Sequence, residues 1–95
     1  MPDLRSILAE AIRWRRRLRF VYNAKPRFAE PQCLGIGAKG TVLLRVHQLA
    51  GGGQREPLFD VSKIEGLQML DETFVSPGPN YPRDDSAMVT ILAQL

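Results

Sequence analysis

The chain has one cysteine, Cys33, and one histidine, His47. A lone cysteine excludes an intramolecular disulfide framework and gives no support for a secreted, stapled scaffold. One histidine and one cysteine are too few for a zinc site within a single chain. No serine, cysteine or carboxylate pattern around His47 spells a triad, so it reads as a strand-end residue and no enzyme is expected. Cys33, between Gln32 and Leu34, reads as a small buried hydrophobe. No apolar run approaches the ~20 residues of a membrane span, and no signal peptide precedes the first helix, so a cytoplasmic protein is the expectation. Gly35-x-Gly37-x-x-Gly40 spells a dinucleotide fingerprint in letters alone. Thr41 onward reads as a strand where that fingerprint needs a helix, and no cofactor is expected. Internal repeats are also missing.

Ninety-five residues with 44% apolar and 24% charged content suit one small globular domain. Net charge is +3, and it is unevenly spread. Residues 1–27 carry eight Lys/Arg against two acids, whereas residues 28–95 carry five against eight. The basic amino-terminal quarter is either a footprint for nucleic acid or phosphorylated ligands, or a solvated helix face.

Asp3 is placed to cap a helix running to about Arg17. Leu4, Ile7, Leu8, Ala11, Trp14 and Leu18 share its apolar side, and Arg13, Arg16 and Arg17 lie opposite. Arg15 would interrupt the apolar stripe, so the helix should end near it. Alternation then takes over, with Leu18, Phe20 and Tyr22 on one face and Arg19, Val21 and Asn23 on the other. Asn23-Ala24-Lys25-Pro26 reads as a tight turn, and Gly35 to Gly40 as a hairpin connection. Strand-like pieces follow at Arg27–Pro31, Thr41–Val46, Leu58–Val61 and Gly66–Leu70, with Gly51-Gly52-Gly53 as a loop. The expected fold is mainly β with α: a five-stranded SH3/Sm-like barrel behind an amino-terminal helix. Leu8, Ile12, Leu18, Phe20, Val42, Leu44, Phe59, Ile64 and Leu67 should form its core. Residues 1–75 make that domain. Residues 76–95 read as a proline-rich connector and a short helix capped by Asp85, with Met88, Ile91, Leu92 and Leu95 on one face. Such a helix is marginal alone, so it should dock on the barrel or on a second copy, giving a homodimer. Asp84-Asp85 could also hold a hard cation, though a helix cap is the simpler role.

This order of elements resembles the WYL domain, a small ligand-sensing β-barrel of bacteria. The resemblance spans roughly Leu4 to Phe74. It rests on Ala11-Ile12, Leu18, Phe20 and Tyr22, on Arg27 and Pro31, on Gly40 to Val46, and on Phe59, Lys63 and Ile64. The Trp-Tyr-Leu triplet aligns with Thr41-Val42-Leu43, where only the leucine is kept. Asp60 replaces the usual arginine, and Ser62 replaces an acid. In that family the domain commonly accompanies a DNA-binding helix-turn-helix and regulates transcription. The resemblance implies the same class of regulator here, acting through a partner protein or as a diverged remnant.

It further implies that Arg27, Arg45, Arg55 and Lys63 converge on one barrel face. With Tyr22 and His47 they form the candidate ligand or nucleic-acid site. Arginine's planar fork matches phosphate, and Tyr22 could stack on a base. Tyr22 could equally pack in the core with its hydroxyl at the rim. Arg27 and Arg45 could equally pair with Glu30, Glu56 or Asp60. Arg13, Arg16, Arg17 and Arg19, beside Arg15, form a second basic cluster. The expected function is non-catalytic binding of nucleic acid or a nucleotide-type ligand; the alternative is a protein-interaction or dimerisation module without a ligand site.

Overall fold

The computed structural model describes residues 3–81 and 83–95. Helix α1 spans Leu4–Trp14. An Asp3 side-chain oxygen accepts from the Ser6 amide at 2.8 Å, satisfying a first-turn donor that the helix itself cannot. The helix stops when Arg15 adopts a left-handed conformation (φ 53°, ψ 49°) and returns its amide to the Ala11 and Ile12 carbonyls. Leu8, Ala11 and Ile12 are buried beneath it. Trp14 is not: it is 61% exposed, against its expected place in the apolar stripe. The chain breaks away one residue later, so this side chain hangs past the edge of the surface that covers the rest of the stripe.

Strand β1 (Arg16–Tyr22) returns as β2 (Lys25–Ile36) through Asn23 and Ala24. Both turn residues have positive φ, 51° and 62°, as a two-residue type I′ hairpin requires. β2 is one long strand and does not end at Pro31, and Gly35 lies within it. Pro31 is tolerated because it falls beside a bulge at Gln32 and at a changeover of neighbours. One edge of β2 follows β3 (Val42–Ala50) from Phe28 to Ile36. The other edge pairs with β1 up to Ala29, then with β6 (Thr90–Gln94) from Cys33 to Ile36.

β6 corrects the expectation of a carboxy-terminal helix. Met88, Ile91, Leu92 and Leu95 satisfy a helical stripe, but Ile91, Ala93 and Leu95 also alternate, and these three are partly buried. A helix of that length is marginal, whereas the edge of β2 beyond Ala29 offers unpaired backbone groups. The argument for a dimer through that helix falls with it.

β4 (Leu58–Asp60) pairs with β3, a 3-10 turn covers Val61–Lys63, and β5 (Glu65–Thr73) pairs with β1. All pairings are antiparallel, in the order β4-β3-β2-β1-β5. In a flat sheet the outer two strands would lie about 19 Å apart. The link from Asp60 to Glu65 reaches at most ~17 Å fully extended, and less with a 3-10 turn inside it. The sheet therefore has to curl. Tyr22 on β1 accordingly reaches across to accept from the Asp60 amide at the end of β4, at 3.2 Å.

Inside the curl lie Leu8, Ala11, Ile12, Leu18, Phe20, Ala29, Leu34, Leu44, Val46, Phe59, Val61 and Ile64. Of the expected core, Val42 and Leu67 are partly buried at its margin. Phe59 meets Phe20 edge-on at 5.2 Å and Tyr22 at 4.6 Å between ring centroids. Among the described residues no helix is long and apolar enough to cross a membrane.

Replacing Phe59 with Ala should remove about 3–5 kcal/mol of stability in urea unfolding, because two aromatic contacts and a core volume go together. Ala24→Gly should add roughly 0.5–1 kcal/mol by the same measurement, since a Cβ is strained at a positive φ that glycine adopts freely.

Candidate functional site

β3 alternates strictly, and its two faces hold two different polar groups. Leu44, Val46 and Gln48 face inward, while Arg45 and His47 face outward. The six expected site residues therefore do not share one surface.

The inward group is built around Arg27, which lies opposite Phe20 in the β1–β2 register and so shares its face. Its guanidinium carbon stands 5.5 Å from the Phe59 ring centroid and 5.9 Å from that of Tyr22. One terminal nitrogen donates to the Gln48 side-chain oxygen at 3.2 Å, the other to the Tyr22 carbonyl at 3.1 Å. Its Nε is buried without a hydrogen-bond partner. Among the described residues no carboxylate pairs with it. Gln48 is held in turn by the Gln54 carbonyl at 2.8 Å. The glycine loop closes over this group. A Cβ on Gly51 would stand 2.3 Å from the Pro26 carbonyl oxygen, and one on Gly52 would meet Arg27 Nη1 at 2.7 Å.

Of two further expected residues, Arg55 is tied to the group through its backbone and Lys63 lies beside Asp60. The Arg55 carbonyl accepts from the Gln48 amide at 2.6 Å, and the Arg55 side chain is exposed. Lys63 is exposed at the end of the 3-10 turn that begins next to Asp60. The Asp60 carboxylate itself is turned onto Ser62, accepting from its hydroxyl at 2.7 Å and its amide at 3.0 Å. Those bonds, with Lys63 nearby, hold its pKa below the usual carboxylate value.

The outward group lies beneath the chain between β5 and β6. Arg45 grips Asp85 through Nε at 2.8 Å and Nη2 at 3.5 Å, and donates to the Glu56 carbonyl at 2.9 Å. Asp85 is only 2% exposed, and so serves as a buried counter-ion where a helix cap was expected. Burial alone would raise its pKa, but the hydrogen bonds from Arg45 and from the Ala87 amide outweigh that and hold it below the ordinary value. Gln32, fully buried at the bulge, donates to Glu56 at 3.0 Å and accepts from the Gly78 amide at 2.7 Å. Glu30 takes Arg17 Nε at 2.9 Å and stands 3.3 Å from His47 Nδ1. Gly78 packs on His47 so closely that a Cβ there would come within 2.9 Å of the ring. Cys33 is buried alongside, and burial, then the Asp85 charge, push its thiol up to about 11.

Arg45 and His47 thus face acids, and two arginines of the second cluster are paired as well. Arg16 pairs with Asp71 at 2.8 Å, Arg17 also reaches Glu72 at 3.2 Å, and Arg19 lies 5.6 Å over the Phe28 ring. Arg15 donates to the Val75 carbonyl, and Arg13 is exposed. Among the described residues no group of three or more His, Cys, Asp or Glu is placed to hold a metal ion, which leaves the Asp84-Asp85 pair without further ligands.

Gln32 and Gln48 are the polar residues that matter here and that residue patterns did not single out, while Asp85 was singled out for a different role. Gln32 alone left a signal, as a polar residue between Pro31 and Cys33 in an otherwise apolar stretch. The class these features define is a small curled antiparallel sheet with a half-buried arginine at one end. No family model, curated protein or solved structure matches the chain.

Asp85→Asn should cost about 2–3 kcal/mol at pH 7, because Arg45 would lose its counter-ion in a covered site. Since the folded-state pKa of Asp85 is depressed, its contribution is complete above the unfolded value of about 3.8 and fades as pH falls through the lower folded value. Wild type and variant should therefore converge in denaturant titrations as pH falls well below 3.8. Cys33 should resist alkylation by iodoacetamide at pH 8 until the protein is unfolded.

Proposed function

We propose that the chain is a non-catalytic binding module in which the curled sheet closes as an SH3/Sm-like barrel, related to the WYL domain. Its ligand is anionic, a nucleic acid or nucleotide-type molecule held by Tyr22 and Arg27, with Arg55 and Lys63 adding charge from the exposed surface. One observation carries this reading. Arg16, Arg17 and Arg45 each have a carboxylate partner, whereas the part-buried Arg27 rests on two aromatic rings and neutral acceptors. A cation held in a dry setting without a counter-ion attracts an anion more strongly than one exposed to water. Arg55 and Lys63 extend the positive potential to the rim, and the glycine loop leaves backbone close by. In this reading a regulatory role is exerted through a partner protein that senses the occupied mouth.

The test is binding of a short single-stranded oligonucleotide followed across a salt series. Affinity should fall steeply with salt, and Arg55→Ala and Lys63→Ala should each lower the slope of log affinity against log salt by about 0.7–1. Both side chains are exposed, so these variants should keep the wild-type melting temperature. Arg27→Ala should abolish binding. Arg16→Ala, which removes an already paired charge, should leave the slope unchanged. Absence of binding at low salt, or a slope that responds to Arg13 and Arg19 instead, would overturn the proposal.

A further inference from the structure

The ligand reading leaves the outer face of α1 unused, and that face has an unusual make-up. Its one large apolar residue is Trp14, 61% exposed, and Val75, 88% exposed, is tethered nearby through Arg15. On one side of Trp14 lies a cleft of about 330 Å³ lined by Ser6, Ala9, Glu10 and Arg13. Ser6 and Ala9 are small, so the helix surface is hollow there and prominent at Trp14. Glu10 and Arg13 stand one turn apart on the same face, and among the described residues neither forms an ion pair.

A single symmetry operation fits these features to one another. In an antiparallel pairing of two α1 helices about a twofold axis, residue positions with the same midpoint oppose each other. Ala9 with Trp14 and Glu10 with Arg13 share one midpoint, between Ala11 and Ile12. One axis at that level therefore brings each Trp14 level with the other copy's Ala9 and each Arg13 level with the other copy's Glu10. The contact is isologous and closes at two chains. Tryptophan and arginine are also the residue types that most often dominate interface energy.

We infer that α1 is a self-association surface whose occupant is a second copy of this chain, joined through Trp14 and reciprocal Glu10–Arg13 pairs. A polyanion fits this corner less well. Glu10 faces Arg13 in the cleft on one side of Trp14, and Glu10 and Asp71 outnumber Arg16 in the cleft on the other. The contact is small for an 11-residue helix, so the dimer belongs to the weak, reversible class. It is independent of the Arg27 mouth, and either proposal can fail without the other.

Trp14 is the chain's one tryptophan, so its emission reports this surface alone. Sedimentation equilibrium and tryptophan emission would be followed from about 1 to 500 µM protein, a range chosen for weak complexes. A monomer–dimer transition is expected, with a blue shift of emission at the same midpoint. Arg13→Glu should weaken association about tenfold or more by setting acids against acids, and the swap Glu10→Arg with Arg13→Glu should restore it. Trp14→Ala should abolish association while leaving the urea midpoint near wild type, because the side chain is exposed. A monomer throughout the range, a dimer indifferent to these substitutions, or emission that shifts with added oligonucleotide but not with concentration would each overturn the inference.

Discussion

Strand β2 is hydrogen-bonded along both edges and, from Ala29 to Gly35, covered on both faces. That double burial governs the rest of the molecule. The inner face can be apolar because it meets α1 and the aromatic cluster. The outer face cannot be left bare, and it is not apolar either: Glu30 and Gln32 must find partners once water is excluded. Arg17, His47, Glu56, Arg45 and Asp85 supply or extend that network, and the segment after β5 takes its course because those groups need a cover. Buried polar groups of this kind penalise mismatched registers more severely than apolar ones, which makes them a device for fixing the pairing of β2 with β3 and β6.

Charge is handled differently on the two sides of the sheet. The amino-terminal excess looks in the sequence like one basic surface. In three dimensions the acids of β5 and β2 reach it, and Asp71, Glu72 and Glu30 neutralise Arg16 and Arg17. Arg27 escapes this because its strand neighbours are aromatic or amide side chains. Position relative to the sheet, rather than density along the chain, decides which cation remains available.

What was legible in the sequence was local. Asp3 as a cap, the helix end at Arg15, the alternation of Leu18, Phe20 and Tyr22, and the Asn23-Ala24 turn each depend on residues within one or two turns of backbone. Phe59 and Ile64 were legible because apolar rhythm survives whatever the fold. The length of β2 was hidden by Pro31 and Gly35, which break a strand unless a bulge and a change of neighbour accommodate them. β6 was hidden because four apolar positions around it fit a helical stripe and three an alternation, and only an open edge some 57 residues upstream decides between them. The Arg45–Asp85 pair, 40 residues apart in sequence, was invisible for the same reason.

The attachment of β6 to β2 also has a kinetic side. The hairpins β1–β2 and β2–β3 close short loops and form early, whereas β6 must return across the length of the chain to find Cys33 to Ile36. Closing that long loop carries the larger entropy cost, and it is the closure that covers Arg45, Gln32 and Glu30. An edge strand with a distant partner is the kind of element that opens locally, so amide hydrogens of β6 are expected to exchange before those of β2 and β3.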